Sequence, residues 1–498
     1  MKLITLEIGS SAVKIGLASF DADVPDSPLT LQAVESEPLL NCVRNGRIQN
    51  VEDVKNQTLK ALERLRRRPE LEGAEITGVY AAIGGRSLST VNASANLALP
   101  DERLITDELV ERLKSEAMAS VDSGKDVLEI IPRRFAVNDA PSARPVGAYG
   151  SKISGDFTIV VCDQLNSRNI ERVVLDRLDL NICEYVVRPL AIARAVLTAE
   201  DTNPGCMLVD MGAETTTVAI FKEGSPRYIA TIPMGGRNIT RDLMAGMGIT
   251  EERAEEIKLR VGNALNDGAP ASADRIEIDS YIQARALEIA SNIAAHIGFA
   301  GYGEGDLRAG IIVTGGAARL KNMGQLLKNA TRLPVRMAVA PAAVHIQDSS
   351  IDPAENLDVI ALTLAARTFW QAQGNADICV TEPLPVDDTD ADEPEEETGA
   401  ADTPAADTPL ADYDPSNPFS VDDRRDEDDD EEEDLPPNRR SYDPREDDGD
   451  DGDLTDDDTH RPHRSQKPQK PGFDKRLADI FGRITGAFKE AGDGQDME

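Results

Sequence analysis

Residues 3–16 read LITLEIGSSAVKIG and residues 206–221 read CMLVDMGAETTTVAIF. Each is an apolar run reaching an acid just before a glycine turn, followed by a second run rich in β-branched residues, the pattern of two strands joined by a tight turn. One such unit is an ordinary hairpin. Two of them, about 200 residues apart, predict a duplicated α/β architecture. The segment VEDVKNQTLKALERLRRR (51–68) follows the first unit with the spacing of an amphipathic helix, and YIATIPMGG (228–236) follows the second. A third glycine turn ends the strand AGIIVTGG (309–316), with a helix after it.

These turns suggest a ligand class. A triphosphate needs backbone N–H groups that can approach closely, with hydroxyls and a cation to oppose its charge. Gly9, Ser10, Ser11 and Lys14 offer that set in the first turn, and Asp210, Gly212, Ala213, Thr215 and Thr216 offer it in the second. Acids at the strand ends, Glu7 and Asp210, suit Mg²⁺ held largely through water, since magnesium dehydrates reluctantly. Neither turn has the spacing of a P-loop or a dinucleotide-binding fingerprint.

The chain has 498 residues and a net charge of −37, but the acidity is concentrated. Residues 381–460 hold 34 acids against 5 bases, which leaves about −8 for the rest. Such a balance argues against nonspecific nucleic-acid binding. Five scattered cysteines (Cys42, Cys162, Cys183, Cys206, Cys379) contain no C-x-x-C pair and read as reduced thiols, and the four histidines show no metal-ligand spacing. The first twenty residues lack the apolar run and cleavage site of a signal peptide, and no stretch has the length of a transmembrane span.

Residues 381–470, rich in Asp, Glu, Pro and Thr, bury too little to offset chain entropy and are expected to be disordered. A helix is expected at 471–490, where Phe473, Leu477, Ile480, Phe481, Ile484 and Phe488 fall on one stripe bordered by Lys475, Arg476 and Arg483. A basic amphipathic helix suits an anionic membrane surface, where reversible binding is expected, or else the face of a partner protein or of the body itself.

The order of motifs says more than any one of them: LEIGSSAVKIG, RPLAIARAVL, LVDMGAETTTVAIF, MGGRNITRDL, AEEIK, IIVTGGAARL. In that order they resemble the actin/Hsp70 nucleotide-binding fold across most of residues 1–380. The resemblance implies ATP gripped by the two hairpins, with Gly235 and Gly236 also in the binding set. It further implies that Gly315 and Gly316 approach the nucleoside, and that Glu255 and Lys258 lie near ribose and adenine. The segments VYAAIGGRSLSTVNASANLALPDERLITDELVERL, IIPRRFAVNDAP and PVGAYGSKISGDFTIVVC resemble the inserted subdomain of the FtsA family of bacterial cell-division proteins.

That resemblance implies a first core at 1–78 and 164–200, an insert at 79–163, a second core at 201–234 and 306–380, and a small subdomain at 235–305. It also implies a function. The chain would bind ATP, polymerise, dock the C-terminal tail of FtsZ on the small subdomain, recruit other division proteins, and tie the Z ring to the inner face of the cytoplasmic membrane. Two positions depart from the wider pattern: Glu7 stands where most of the superfamily has Asp, and Arg188 precedes Pro189 where many relatives have an acid. No convincing base for an attacking water is identifiable, so weak or no ATPase activity is expected. Two other readings stay open: a kinase or chaperone of the same superfamily with true turnover, and a pilus-assembly relative of the PilM type.

Overall fold

The structure, a computed structural model, describes residues 1–24, 27–266, 268, 272–372 and 378–381. The acidic stretch beyond Thr381 and the helix expected at 471–490, with Phe473, Lys475, Arg476, Leu477, Ile480, Phe481, Arg483, Ile484 and Phe488, lie outside the described residues.

The chain begins with an antiparallel meander of β1 (Lys2–Ile8), β2 (Ala12–Ser19) and β3 (Leu29–Pro38). Helix α1 (Val51–Arg66) follows, capped by the Asn50 side chain, which accepts from the Asp53 N–H at 3.1 Å. Strand β4 (Gly78–Ile83) returns parallel to β1. Nearly every residue of β1 is buried, as expected of a central strand covered on both faces.

The chain then leaves this sheet for a separate one. Strand β5 (Ser89–Leu104), α2 (Asp107–Met118), β6 (Lys125–Val137), β7 (Ala140–Ser142) and β8 (Tyr149–Asp163) form a four-stranded antiparallel layer in the order β7-β6-β8-β5. Buried and exposed residues alternate along the middle of β5, so one face packs on α2 through Phe157, Leu113 and Ile105 while the other meets solvent. After α3 (Gln164–Leu178), strand β9 (Asn181–Val187) rejoins the first sheet beside β4 and leads into α4 (Arg188–Val196). The expected insert boundary at Val79 is therefore corrected. Residues 79–83 belong to β4, whose pairing with both β1 and β9 makes it integral to the first sheet.

The second half repeats the first. Strands β10 (Cys206–Met211), β11 (Thr216–Lys222) and β12 (Ser225–Ile232) form a meander, followed by helices α5 (Gly236–Met247), α6 (Glu251–Val261) and α7 (Ala273–Phe299). Strand β13 (Gly310–Thr314), helix α8 (Met323–Thr331) and strand β14 (Val335–Met337) complete it. The strand orders are β9-β4-β1-β2-β3 in the first half and β14-β13-β10-β11-β12 in the second. The two orders correspond strand for strand, so the architecture is the duplicated actin/Hsp70-like α/β fold.

The last described segments do not stay with the second core. Strand β15 (Val344–Ile346) pairs parallel with β3, and α9 (Leu357–Ala372) packs against β1 and α4. This corrects the assignment of 306–380 to the second core. The physical reason is the burial of Val359, Ile360, Leu362 and Trp370 in the first core, where Trp370 meets Phe20 edge-on at 5.0 Å. Gly16 permits the approach, since a Cβ there would lie 2.5 Å from Val359 Cγ1.

Candidate functional site

The two meander turns close in the same way. Ile8 pairs with Val13 and Met211 with Thr216, leaving four residues in each loop. The Gly9 N–H donates to the Ala12 carbonyl at 3.0 Å, and the Gly212 N–H donates to the Thr215 carbonyl at 2.8 Å. A Cβ on either glycine would stand 3.0 Å from that carbonyl. The third turn abuts the second: Gly315 has φ +91°, and a Cβ there would lie 2.4 Å from the Met211 carbonyl. Only glycine fits that combination of backbone and clearance.

Between the halves lies a cleft of about 1400 Å³. Glu7, Gly9, Ser10, Ser11 and Lys14 line it from the first half, and Asp210, Gly212, Ala213 and Thr215 from the second. Gly236, Gly315 and Gly316 line it further along, with Glu255 and Lys258 of α6. Two expected residues stand behind the wall. Thr216 is fully buried, its hydroxyl donating to the Met234 carbonyl at 2.9 Å. Gly235 packs on the second turn, where a Cβ would meet the Gly212 and Ala213 carbonyls at 2.4 and 2.6 Å.

The floor of the cleft is a cluster of charges. Arg188, at the start of α4, places Nη1 2.7 Å from Asp210 Oδ2 and Nε 3.3 Å from Glu7 Oε1. Lys14 lines the cleft, but its ammonium donates to both carboxylate oxygens of Asp358 at 3.0 Å and to the Glu355 carbonyl at 2.7 Å. Burial pushes the Glu7 carboxyl up to about 7, with Arg188 opposing the rise. Burial also raises Asp210, again against Arg188. Burial works against the charge of Arg188 itself, yet Asp210, Glu7 and Asp358 together outweigh it and hold its pKa above the ordinary arginine value.

The sequence reading puts Mg²⁺ between Glu7 and Asp210. The side chains present do not fit that ion, because the guanidinium of Arg188 already pairs with both carboxylates. A dication about 5 Å from that guanidinium would meet a Coulomb repulsion on the order of 6 kcal/mol at an effective dielectric of about 20. Among the described residues, no group of three or more His, Cys, Asp or Glu side chains is arranged to hold a metal.

A second group of charges sits in the other turn. Glu214 is 1% exposed and accepts from the Arg241 guanidinium at 2.6 Å, the Arg237 guanidinium at 3.4 Å and the Asn45 N–H at 2.7 Å. Arg237 Nη1 also donates to the Ser10 carbonyl at 3.2 Å. Glu214 and Arg237 thus join the second turn to the first half across the cleft. Sequence reasoning missed Glu214, Arg237, Arg241 and Asp358. The i,i+4 spacing of Arg237 and Arg241 puts both guanidiniums on one face of α5, a signal that could have found them.

At the far end, Lys258 Nζ lies 2.7 Å from Glu255 Oε2 and donates to the Thr240 hydroxyl at 3.0 Å and the Gly236 carbonyl at 3.2 Å. Burial lowers its pKa, with Glu255 opposing. This pair is a braced part of the wall.

A family model described as "Cell division protein FtsA" matches residues 207–354, and one described as "SHS2 domain inserted in FTSA" matches residues 85–161. The second span coincides with the four-stranded insert to within a few residues. The cell division protein FtsA of Porphyromonas gingivalis is 26% identical over 351 residues, covering 67% of this chain and 72% of that protein. The FtsA of Pseudomonas aeruginosa is 25% identical over 367 residues, covering 70% and 86%. That of Bacillus subtilis is 25% identical over 365 residues, covering 69% and 80%. Among solved structures, a PilM–PilN type IV pilus biogenesis complex aligns with a TM-score of 0.49 and 18% identity over 76% of this chain and 99% of that one. With two matching family models, one of them over the inserted sheet, and relatives aligned over most of its length, this chain belongs to the FtsA family of cell-division proteins.

Proposed function

We propose that the chain binds ATP in the cleft between its halves and acts as an adaptor at the division site, tying FtsZ filaments to the inner face of the cytoplasmic membrane. The observation that carries this reading is the pair of equivalent glycine turns lining one cleft from opposite sides, a setting suited to a triphosphate. Membership of the FtsA family supports the division role. On this reading the nucleotide stabilises a closed, polymer-forming state by differential binding. The C-terminal tail of FtsZ docks on residues 235–305, helix 471–490 holds the anionic lipid surface, and other division proteins are recruited at the septum. The domain division carried forward takes the insert from Ser89 and returns residues 344–372 and 378–381 to the first core.

Turnover is not part of this reading. The position before Pro189 carries a cation engaged with two carboxylates, which leaves no base there to orient water.

Calorimetric titration of the full chain with ATP tests the cleft, and saturable one-to-one binding is expected. No heat of binding would remove ATP from the proposal. Co-sedimentation with FtsZ and anionic vesicles, with and without residues 473–489, tests the adaptor. Recovery of FtsZ with the vesicles is expected only when those residues are present. Phosphate release at several turnovers per second would favour the kinase or chaperone alternative.

A further inference from the structure

Arg188 occupies the first turn of α4, the helix end at which the backbone dipole disfavours a cation. Local helix chemistry therefore gives no reason for it, and the reason has to be tertiary. Its two close partners, Glu7 and Asp210, sit near the ends of β1 and β10, the topologically equivalent central strands of the two halves. One guanidinium thus joins the two places from which a metal-centred cleft would draw its carboxylates.

Its hydrogen-bonding capacity is not used up. Nε is buried 3.3 Å from Glu7 Oε1, outside hydrogen-bonding geometry, and Asp210 Oδ1 is buried without a partner, so neither atom is open to a ligand. Nη2 stands 4.0 Å from Asp358 Oδ2, beyond hydrogen-bond reach. The group lines the cleft together with Gly9 and Gly212. Nε and Nη1 each face one carboxylate on different edges of the guanidinium, which leaves Nη2, between them, with the N–H groups that can meet a phosphate oxygen at the cleft.

We infer that Arg188 is the resident counter-ion of the cleft, standing where a divalent metal would otherwise sit, so that this chain binds a nucleoside triphosphate without a metal ion. The inference rests on the ATP reading of the cleft. Arg188 then both bridges the two halves through Glu7 and Asp210 and faces the terminal phosphates. A hydrated Mg²⁺ would have to displace it to reach the same carboxylates.

The test is ATP titration of the full chain by calorimetry, in excess magnesium and in excess EDTA, for the wild type, Arg188→Gln and Arg188→Lys. Wild-type affinities in the two media are expected to agree within about twofold. Arg188→Gln, with Glu7 and Asp210 freed to take a metal, is expected to bind at least about tenfold more weakly in EDTA than in magnesium. Arg188→Lys, which keeps the charge, is expected to fall between them. A purely structural role for Arg188 would move melting temperature but not this ratio. If Arg188→Gln fails to fold, the wild type still decides the matter. Binding by the wild type in magnesium alone overturns the role of Arg188 and leaves the ATP reading standing. Equal binding by Arg188→Gln in both media also overturns it. Absence of binding in both media overturns the ATP reading and the inference with it.

Discussion

The two meander turns, Gly9–Ala12 and Gly212–Thr215, have the same backbone and opposite chemistry. Both are four-residue loops closed by a glycine N–H on the carbonyl three residues later. The first carries Ser10 and Ser11, hydroxyls that line the cleft. The second carries Glu214, buried and compensated by two arginines and a backbone N–H from the opposite half. Duplication has preserved what the backbone needs for an approaching anion. The side chains have diverged, so that one turn serves the cleft and the other also helps hold it closed.

This asymmetry sets the largest expected effect. Glu214→Ala leaves Arg237 and Arg241 without their shared carboxylate and the Asn45 N–H without its acceptor. Breaking a buried ion pair by removing one partner costs about 3–5 kcal/mol, and half-exposed Arg241 draws the figure toward the lower end. Ser11→Ala in the first turn removes an exposed hydroxyl and is expected to change stability by less than about 0.5 kcal/mol. Urea unfolding midpoints of the two variants measure the contrast. Equal losses would show that Glu214 does not join the halves.

The next effect separates the strands leading into the turns. The folded-state pKa of Glu7 is raised to about 7 by burial, with Arg188, Asp358, Lys14 and Asp210 as the facing charges. The folded protein therefore binds more protons than the unfolded chain between the ordinary glutamate value and about 7, and stability falls as pH rises through that window. Asp210 is shifted in the same direction. Glu7→Gln removes the Glu7 share, on the order of 2 kcal/mol. The melting temperature of the variant relative to wild type is expected to be several degrees higher at pH 8 than at pH 5. A constant difference across that range would mean that Glu7 titrates normally.

What could be read in advance follows the same divide between backbone and charge. Both hairpins were legible because their apolar runs and glycines act locally, and the inserted sheet because its segments resemble a known insert. Helix α9 gave no such direction. With Val359, Ile360, Leu362 and Ala366 all buried, it is apolar around much of its circumference, and no face of it names the sheet that receives it. Asp358 reaches Lys14 from 344 residues away, a pairing without any local signature. Arg188 was visible as an oddity before Pro189. That it pairs with the two expected metal-binding acids appears only once β1, β10 and α4 meet.

The smallest effect tests the equivalence itself. Gly9→Ala and Gly212→Ala each place a Cβ 3.0 Å from the carbonyl that closes the turn, so in each the loop must give by a few tenths of an ångström. Neither glycine has a positive φ, so clearance and not backbone strain sets the cost. Each change is expected to cost about 1 kcal/mol, the common value for a single substitution, and to weaken ATP by narrowing the approach to the turn's N–H groups. A slight excess is expected at Gly9, where the new methyl also stands 3.3 Å from both Glu7 carboxylate oxygens. Matching losses in melting temperature and in ATP affinity would mean that the two turns grip one ligand from both sides. A loss of affinity from Gly212→Ala alone would mean that the second turn binds and the first only frames the cleft.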